Sequence, residues 1–252
     1  MSMVRVIPIL LLHNKGLVKT QQFKRPVYLG DPINAVKIFN DKEVDELVLL
    51  DVDASKEKRE PKYDWLKDIV SESFMPLGYG GGINHIDQAK KLFDIGIEKI
   101  ILNTQADNYY FIEQLANRYG SQSIVACIDI KKNIFGTYQA YKLNGTIRVS
   151  EKPVQFASAL VSAGVGEIIL QSIDKEGLMS GYDLDIIKLI SQQITIPLVA
   201  AGGAGKLDDF VLAIQAGASA VSAGSLFVFK GKQRGILINY PKQEELKKLF
   251  NS

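Results

Sequence analysis

The sequence predicts an α/β chain folded as one (β/α)8 barrel over residues 1–252, made of two half-barrels. Three observations carry this expectation. Eight short apolar runs alternate with segments of helical spacing, motif pairs recur at nearly one offset, and 252 residues suit a single barrel of this kind.

In chain order the runs are Val6–Leu12, Leu47–Leu50, Pro76–Leu77, Ile100–Leu102, Ile124–Ile128, Ile168–Leu170, Leu198–Ala200 and Ala220–Ser222. They are near-continuous rather than alternating, as strands covered on both faces should be. Between them Trp65, Ile69 and Val70, then Leu184, Ile187, Leu189 and Ile190, then Phe210, Leu212, Ala213 and Ala216 fall at helical spacing. Asp31-Pro32 places a cap before a first-turn proline, and Asp183 and Asp208 stand at the starts of their helices. Leu50-Asp51 matches Ile173-Asp174 at an offset of 123. Gly81-Gly82 matches Gly202-Gly203, and Asn103-Thr104 matches Gly224-Ser225, each at 121. The seam near Gly120-Ser121 carries no spacer sequence, so the repeat belongs within one domain.

Apolar residues at 46% and charged residues at 23% permit a sizeable core. A net charge of +2 gives no strong field, which argues against nucleic acid or a membrane surface as partner. The single cysteine, Cys127, lies in an apolar run and excludes a disulfide framework. Val6–Leu12 is too short to span a bilayer, and a cytoplasmic protein is expected. His13 and His85 lack companions at ligand spacing, so neither a metal nor a cofactor is expected.

Function in such a barrel sits in the loops after the strands. Gly80-Gly81-Gly82 and Gly202-Gly203-Ala204-Gly205 lack side chains that would keep an anion from backbone N–H groups, although tight turns also call for glycine. Asn103-Thr104 and Gly224-Ser225 add amide or hydroxyl donors. One such set in each half suggests two phosphates on a single elongated ligand. Asp51, Asp129 and Asp174 end apolar strands, where a carboxylate can exchange protons with a ligand, though a lone Asp more often serves a structural bond. The counterpart of Asp129 in the other half is Leu11, which cannot transfer a proton; His13 and Asn14 are the nearby polar substitutes. Arg5, Glu46, Lys99 and Glu167 each precede an apolar strand and are expected at the opposite mouth. If they converge on the axis they must pair, because an isolated buried charge is costly.

The motif series Leu50-Asp51, Gly80-Gly81-Gly82-Ile83, Ile101-Leu102-Asn103-Thr104, Ile128-Asp129, Ser172-Ile173-Asp174, Gly177, Ser180-Gly181-Tyr182-Asp183, Gly202-Gly203-Ala204-Gly205 and Gly224-Ser225 resembles the cyclase subunit of imidazole glycerol phosphate synthase, from about Arg5 to Phe229. The resemblance implies a ribulose-phosphate-binding barrel that docks a glutaminase at its N-terminal face and receives ammonia through the interior. It further implies an ammonia gate of Arg5, Glu46, Lys99 and Glu167. Phosphate positions fall on Gly81, Gly82, Asn103 and Thr104 for one site and Gly177, Gly203, Gly224 and Ser225 for the other, with Lys19, Asp51, Asp174 and Glu176 also at the mouth. Its two catalytic aspartates fall on Asp129 and on Leu11, so one is absent; Glu176 and Leu178 also depart from the family pattern. The stretches Leu10–Thr20 and Phe227–Gly231 with Ile238–Pro241 are similar to paralogues from surface-polysaccharide gene clusters. These are thought to supply ammonia, with a glutaminase and a separate sugar amidotransferase, for turning an acetamido sugar into an acetamidino one. The expected function is therefore ammonia conduction without cyclisation. A working histidine-pathway cyclase is the alternative, and the related sugar-phosphate isomerase a third reading that also needs the missing carboxylate.

Overall fold

The computed structural model describes residues 4–231 and 233–251. Eight parallel strands close on themselves: β1 (Arg5–His13), β2 (Leu47–Asp51), β3 (Leu77–Gly80), β4 (Lys99–Leu102), β5 (Ile124–Lys132), β6 (Glu167–Ser172), β7 (Leu198–Ala201) and β8 (Ala220–Ala223). Closure is made where β8 pairs with β1, Arg5 opposite Ala220 and Pro8 opposite Ala223. This is the expected (β/α)8 barrel. Helices α1 (Pro32–Asp41), α2 (Tyr63–Val70), α3 (Ile86–Asp94), α4 (Tyr109–Tyr119), α5 (Pro153–Ser162), α6 (Leu184–Ser191) and α7 (Asp208–Gln215) follow the first seven strands, and α8 (Ser225–Val228) and α9 (Gln243–Asn251) complete the chain. Among the described residues no helix is long and apolar enough to cross a membrane.

Local chemistry sets the helix starts. Asp31 accepts from the Asn34 N–H at 3.0 Å just before Pro32, whose fixed φ suits a first turn. Asp183 precedes α6 but makes no cap bond; its Oδ1 accepts from the Tyr138 hydroxyl at 2.6 Å.

The strands bury two separate apolar layers. Outward side chains such as Leu47, Leu49, Tyr79 and Ile100 pack with Phe39, Phe156 and Phe210 beneath the helices, each fully buried large side chain contributing about 1.5–3 kcal/mol. Inward side chains form a second cluster, including Ile7, Ile9, Leu11, Val48, Ile101, Val125, Cys127, Ile169 and Val199. Alternation along each strand therefore fixes a parity: odd residues face inward on β1, β4, β5, β6 and β7, and even residues on β2 and β8. Tilted contacts from Tyr182 through Phe210 and Phe227 to Tyr240 tie the C-terminal segment down, and the Tyr240 hydroxyl donates to the Val6 carbonyl at 2.9 Å.

Two hairpins were not anticipated. Residues Gly16–Gln21 pair antiparallel with β1 and with Lys24–Gly30, and Tyr138–Lys142 pair with the end of β5 and with Ile147–Arg148. Both are joined to the C-terminal ends of their barrel strands. The first is bound to the loop after β6 through the Gln22 N–H, which donates to the Glu176 carbonyl at 3.0 Å.

Candidate functional site at the two barrel mouths

At the N-terminal mouth the four charges close a ring. Arg5 donates from Nη1 to Glu46 at 2.7 Å and from Nη2 to Glu167, while Lys99 Nζ reaches Glu46 and Glu167 at 2.8 Å each. Every cation touches both anions. The carboxylate side chains are only 6% exposed, against 33% for Arg5 and 21% for Lys99. Such carboxylates are stable only when paired, and the alternation of sign supplies the pairs. Burial pushes the Glu167 carboxyl up, but the Arg5 hydrogen bond and the Lys99 and Arg5 charges outweigh it and hold Glu167 below its ordinary value. The same balance, with burial opposing and Glu167 and Glu46 prevailing, holds the Arg5 guanidinium above its own. Beyond the ring the inward side chains are mostly apolar up to Leu11 and Cys127, with buried Ser222 among them, its hydroxyl donating to the Ala200 carbonyl at 3.0 Å.

The C-terminal mouth opens into a cavity of about 240 Å³. Asp129 lies in its wall with 4% exposure. Asn103 Nδ2 donates to Asp129 Oδ2 at 3.1 Å and to the Cys127 carbonyl at 3.0 Å, while Asn103 Oδ1 accepts from the Leu143 N–H at 2.9 Å. Burial raises the Asp129 pKa to about 7, against the opposing bonds from Asn103 and Cys127. A carboxyl in that range can both give and take a proton near neutrality. Across the barrel Leu11 occupies the equivalent height, packed among Ile9, Val18 and Leu50. The cavity thus has one proton-active wall and one hydrocarbon wall.

All eight expected phosphate positions line this cavity: Gly81, Gly82, Asn103 and Thr104 on one side and Gly177, Gly203, Gly224 and Ser225 on the other. Backbone crowding accounts for part of the glycine pattern. A Cβ on Gly82 would sit 2.5 Å from the Arg59 carbonyl and one on Gly203 2.2 Å from the Gly181 carbonyl, both at positive φ. Beside these glycines stand a hydroxyl and a cation. Ser225 Oγ is buried and makes no hydrogen bond among the described residues, and Lys19 Nζ lies 2.7 Å from where a Gly224 Cβ would stand. Lys19 pairs with Glu176 at 2.9 Å. That contact is close but poorly aligned, so Glu176 Oε1 counts as an ion-pair partner and not as a hydrogen-bonded acceptor. Its Oε2 accepts from the Thr20 hydroxyl at 3.1 Å and the Phe23 N–H at 3.3 Å.

Two of the strand-end aspartates make the structural bonds that a lone Asp more often serves. Asp51 touches the cavity, yet its Oδ1 accepts from the Asp53 and Ala54 N–H groups at 3.0 Å and from Arg59 at 2.9 Å, so it organises the loop after β2. Asp174 is not among the cavity-lining residues. Its Oδ2 accepts from the Lys132 N–H at 2.9 Å and fastens the end of β5 to the loop after β6. Parity explains Asp51, since inward positions are even on β2, while Asp174 lies two residues past the end of β6, in the turn that follows Ser172. Asp129 follows Val125 and Cys127 in the inward row. Lining residues that were missed include Gln171, opposite Asp129 in register, Asp53 and Ser55, which follow Asp51, and Asn144 and Ser222. The parity set by Glu167 and Ile169 would have found Gln171.

A sequence-family profile described as "Histidine biosynthesis protein" matches residues 5–233. The chain is 48% identical over 244 residues to a Pseudomonas aeruginosa protein named, provisionally, imidazole glycerol phosphate synthase subunit hisF2, covering 96% of this chain and 97% of that one. It is 48% identical over 247 residues to a similarly named hisF3 protein of Vibrio vulnificus, with 97% and 95% covered. Against the imidazole glycerol phosphate synthase subunit HisF of Streptomyces griseus the identity is 37% over 227 residues, with 90% of each chain covered.

Proposed function

Since the chain belongs to the histidine biosynthesis protein family as a HisF-like member, we propose that it is the ammonia-conducting subunit of a glutamine-dependent amidotransferase and does not itself cyclise. A glutaminase subunit docks on the N-terminal face as a heterodimer partner. Ammonia enters through the ring of Arg5, Glu46, Lys99 and Glu167, travels between apolar walls that keep it unprotonated, and leaves at the mouth beside Asp129. A separate sugar amidotransferase then uses it to convert an acetamido into an acetamidino group for a surface polysaccharide. The whole system is cytoplasmic and works on the chain as one domain. At the mouth a phosphorylated small molecule is held by the two loop sets, with Ser225 and Lys19 on one phosphate.

One observation carries this reading. A completely paired charged ring stands at one end of an apolar core, while at the other end Leu11 removes one half of an acid/base pair whose loss commonly costs about 10²–10⁴-fold in rate. The test is copurification with a glutaminase, followed by comparison of nitrogen sources in the reconstituted system. Lys99→Met should abolish glutamine-dependent amidation and leave ammonium-dependent amidation within about twofold. Equal loss with both sources would count against conduction through the ring.

A further inference from the structure

The loop after β1 holds a pair of side chains that the proposed function leaves unused. His13 Nδ1 lies 2.8 Å from Asp53 Oδ1, and the Asn14 N–H donates to Asp53 Oδ2 at 2.8 Å. Asp53 is 8% exposed, and both residues line the cavity. An ionised carboxylate only accepts, so the proton must sit on Nδ1. Burial pushes the Asp53 carboxyl up, but the Asn14 N–H and then His13 outweigh it, which keeps Asp53 in its accepting form. In the neutral ring with its proton on Nδ1, Nε2 carries the lone pair, 3.2 Å from the exposed Asn14 side-chain amide, a partner that a ligand can displace. The loop itself is pinned, because Lys62 Nζ donates to the Asn14 carbonyl at 2.8 Å. Parity places His13 in the inward row of β1, two residues and about 6.6 Å beyond Leu11. The imidazole is therefore fixed in tautomer and direction, as in sites where a carboxylate orients a working histidine.

We infer that His13 and Asp53 form a ligand-binding dyad in which His13 Nε2 accepts a hydrogen bond from a hydroxyl of a sugar phosphate whose phosphate sits in the glycine loops. The inference rests on the reading that this mouth takes a phosphorylated ligand. The dyad lies next to the first loop set: the Gly82 N–H donates to Ser55 Oγ at 3.3 Å, and Ser55 is two residues from Asp53. On this proposal the hydroxyls flanking that phosphate are the groups offered to Nε2. Asp53 acts through His13 as a positioning residue.

The test compares two probes by calorimetry, D-ribulose 5-phosphate and inorganic phosphate, on the whole chain and on His13→Ala, His13→Gln and Asp53→Asn. His13→Ala should weaken the sugar phosphate about fivefold to tenfold, the size of one net hydrogen bond, and leave inorganic phosphate within about twofold. His13→Gln, whose amide oxygen can accept, should recover part of that loss. Long-range ¹H–¹⁵N spectra are simple, since His13 and His85 are the chain's two histidines. They should show the Nδ1–H form of His13 and its loss in Asp53→Asn, which a merely packed carboxylate would not produce. Unchanged sugar-phosphate affinity in His13→Ala, or equal loss for both probes, would overturn the dyad. Failure of either probe to bind the unaltered chain would instead overturn the phosphate reading of the mouth.

Discussion

The two ends of this barrel treat polar groups in opposite ways. At the N-terminal mouth Arg5, Glu46, Lys99 and Glu167 satisfy one another completely, so the charges need nothing from outside. At the C-terminal mouth Ser225 Oγ has no partner among the described residues, and Asp129 is buried without a cation, its pKa raised to about 7 by burial. A closed network satisfies itself, whereas buried polar groups left incompletely paired leave room for the ligand that the proposed function requires. The contrast also runs across the upper mouth itself, where Asp129 faces Leu11.

The comparison breaks most visibly at Asp129. An acid whose folded pKa is raised gives stability that is fully present below its unfolded value, about 3.9, and is lost as pH rises through about 7. Asp129→Asn keeps the size and removes the charge, so it should stabilise the chain by up to about 4 kcal/mol at pH 8 and by almost nothing below pH 4. Urea unfolding at the two pH values measures this. A variant that is destabilised at pH 8 would show that the carboxylate is not penalised by its surroundings.

The lower ring should respond with the reverse sign. Arg5→Ala leaves two nearly buried carboxylates to share Lys99 and should cost about 2 kcal/mol at pH 7, less than the roughly 3–5 of a fully buried pair because Arg5 is one-third exposed. The Glu167 contribution exists above the unfolded carboxylate pKa and disappears as pH falls through its lowered folded value, so the cost should shrink in acid. Denaturant midpoints at pH 7 and pH 3 check both statements.

The smallest effect on stability belongs to the upper mouth. Ser225→Ala removes a hydroxyl that has no partner and should change stability by less than about 1 kcal/mol. It should nonetheless weaken inorganic phosphate about fivefold, measured by calorimetry beside urea unfolding. Loss of stability without loss of phosphate would reverse the assignment of this end as the open one.

Much of this was legible in the sequence because parallel strands covered on both faces leave unbroken apolar runs, and because the half-barrel repeat aligned Leu11 with Asp129. The ring was legible for a related reason: a charge directly before each of four strands fixes both its end of the barrel and its parity. Position at a strand end was not enough for Asp51, since one residue of phase turns a side chain away from the axis, nor for Asp174, which lies in the turn beyond β6. What stayed hidden depends on loops that meet only after closure. His13 and Asp53 are 40 residues apart, Glu176 receives bonds from a hairpin more than 150 residues earlier, and Asn103 spends its amide on Asp129 and the Cys127 and Leu143 backbone. No periodicity announces such pairs.

Turnover of the bisphosphate substrate of imidazole glycerol phosphate synthase, with ammonium salt as nitrogen source, weighs the missing carboxylate most directly when the unaltered chain is set beside Leu11→Asp. No imidazole product from the unaltered chain and measurable product from Leu11→Asp is the predicted result. Comparable product from both would contradict the account, because a hydrocarbon wall would then be doing the work of an acid.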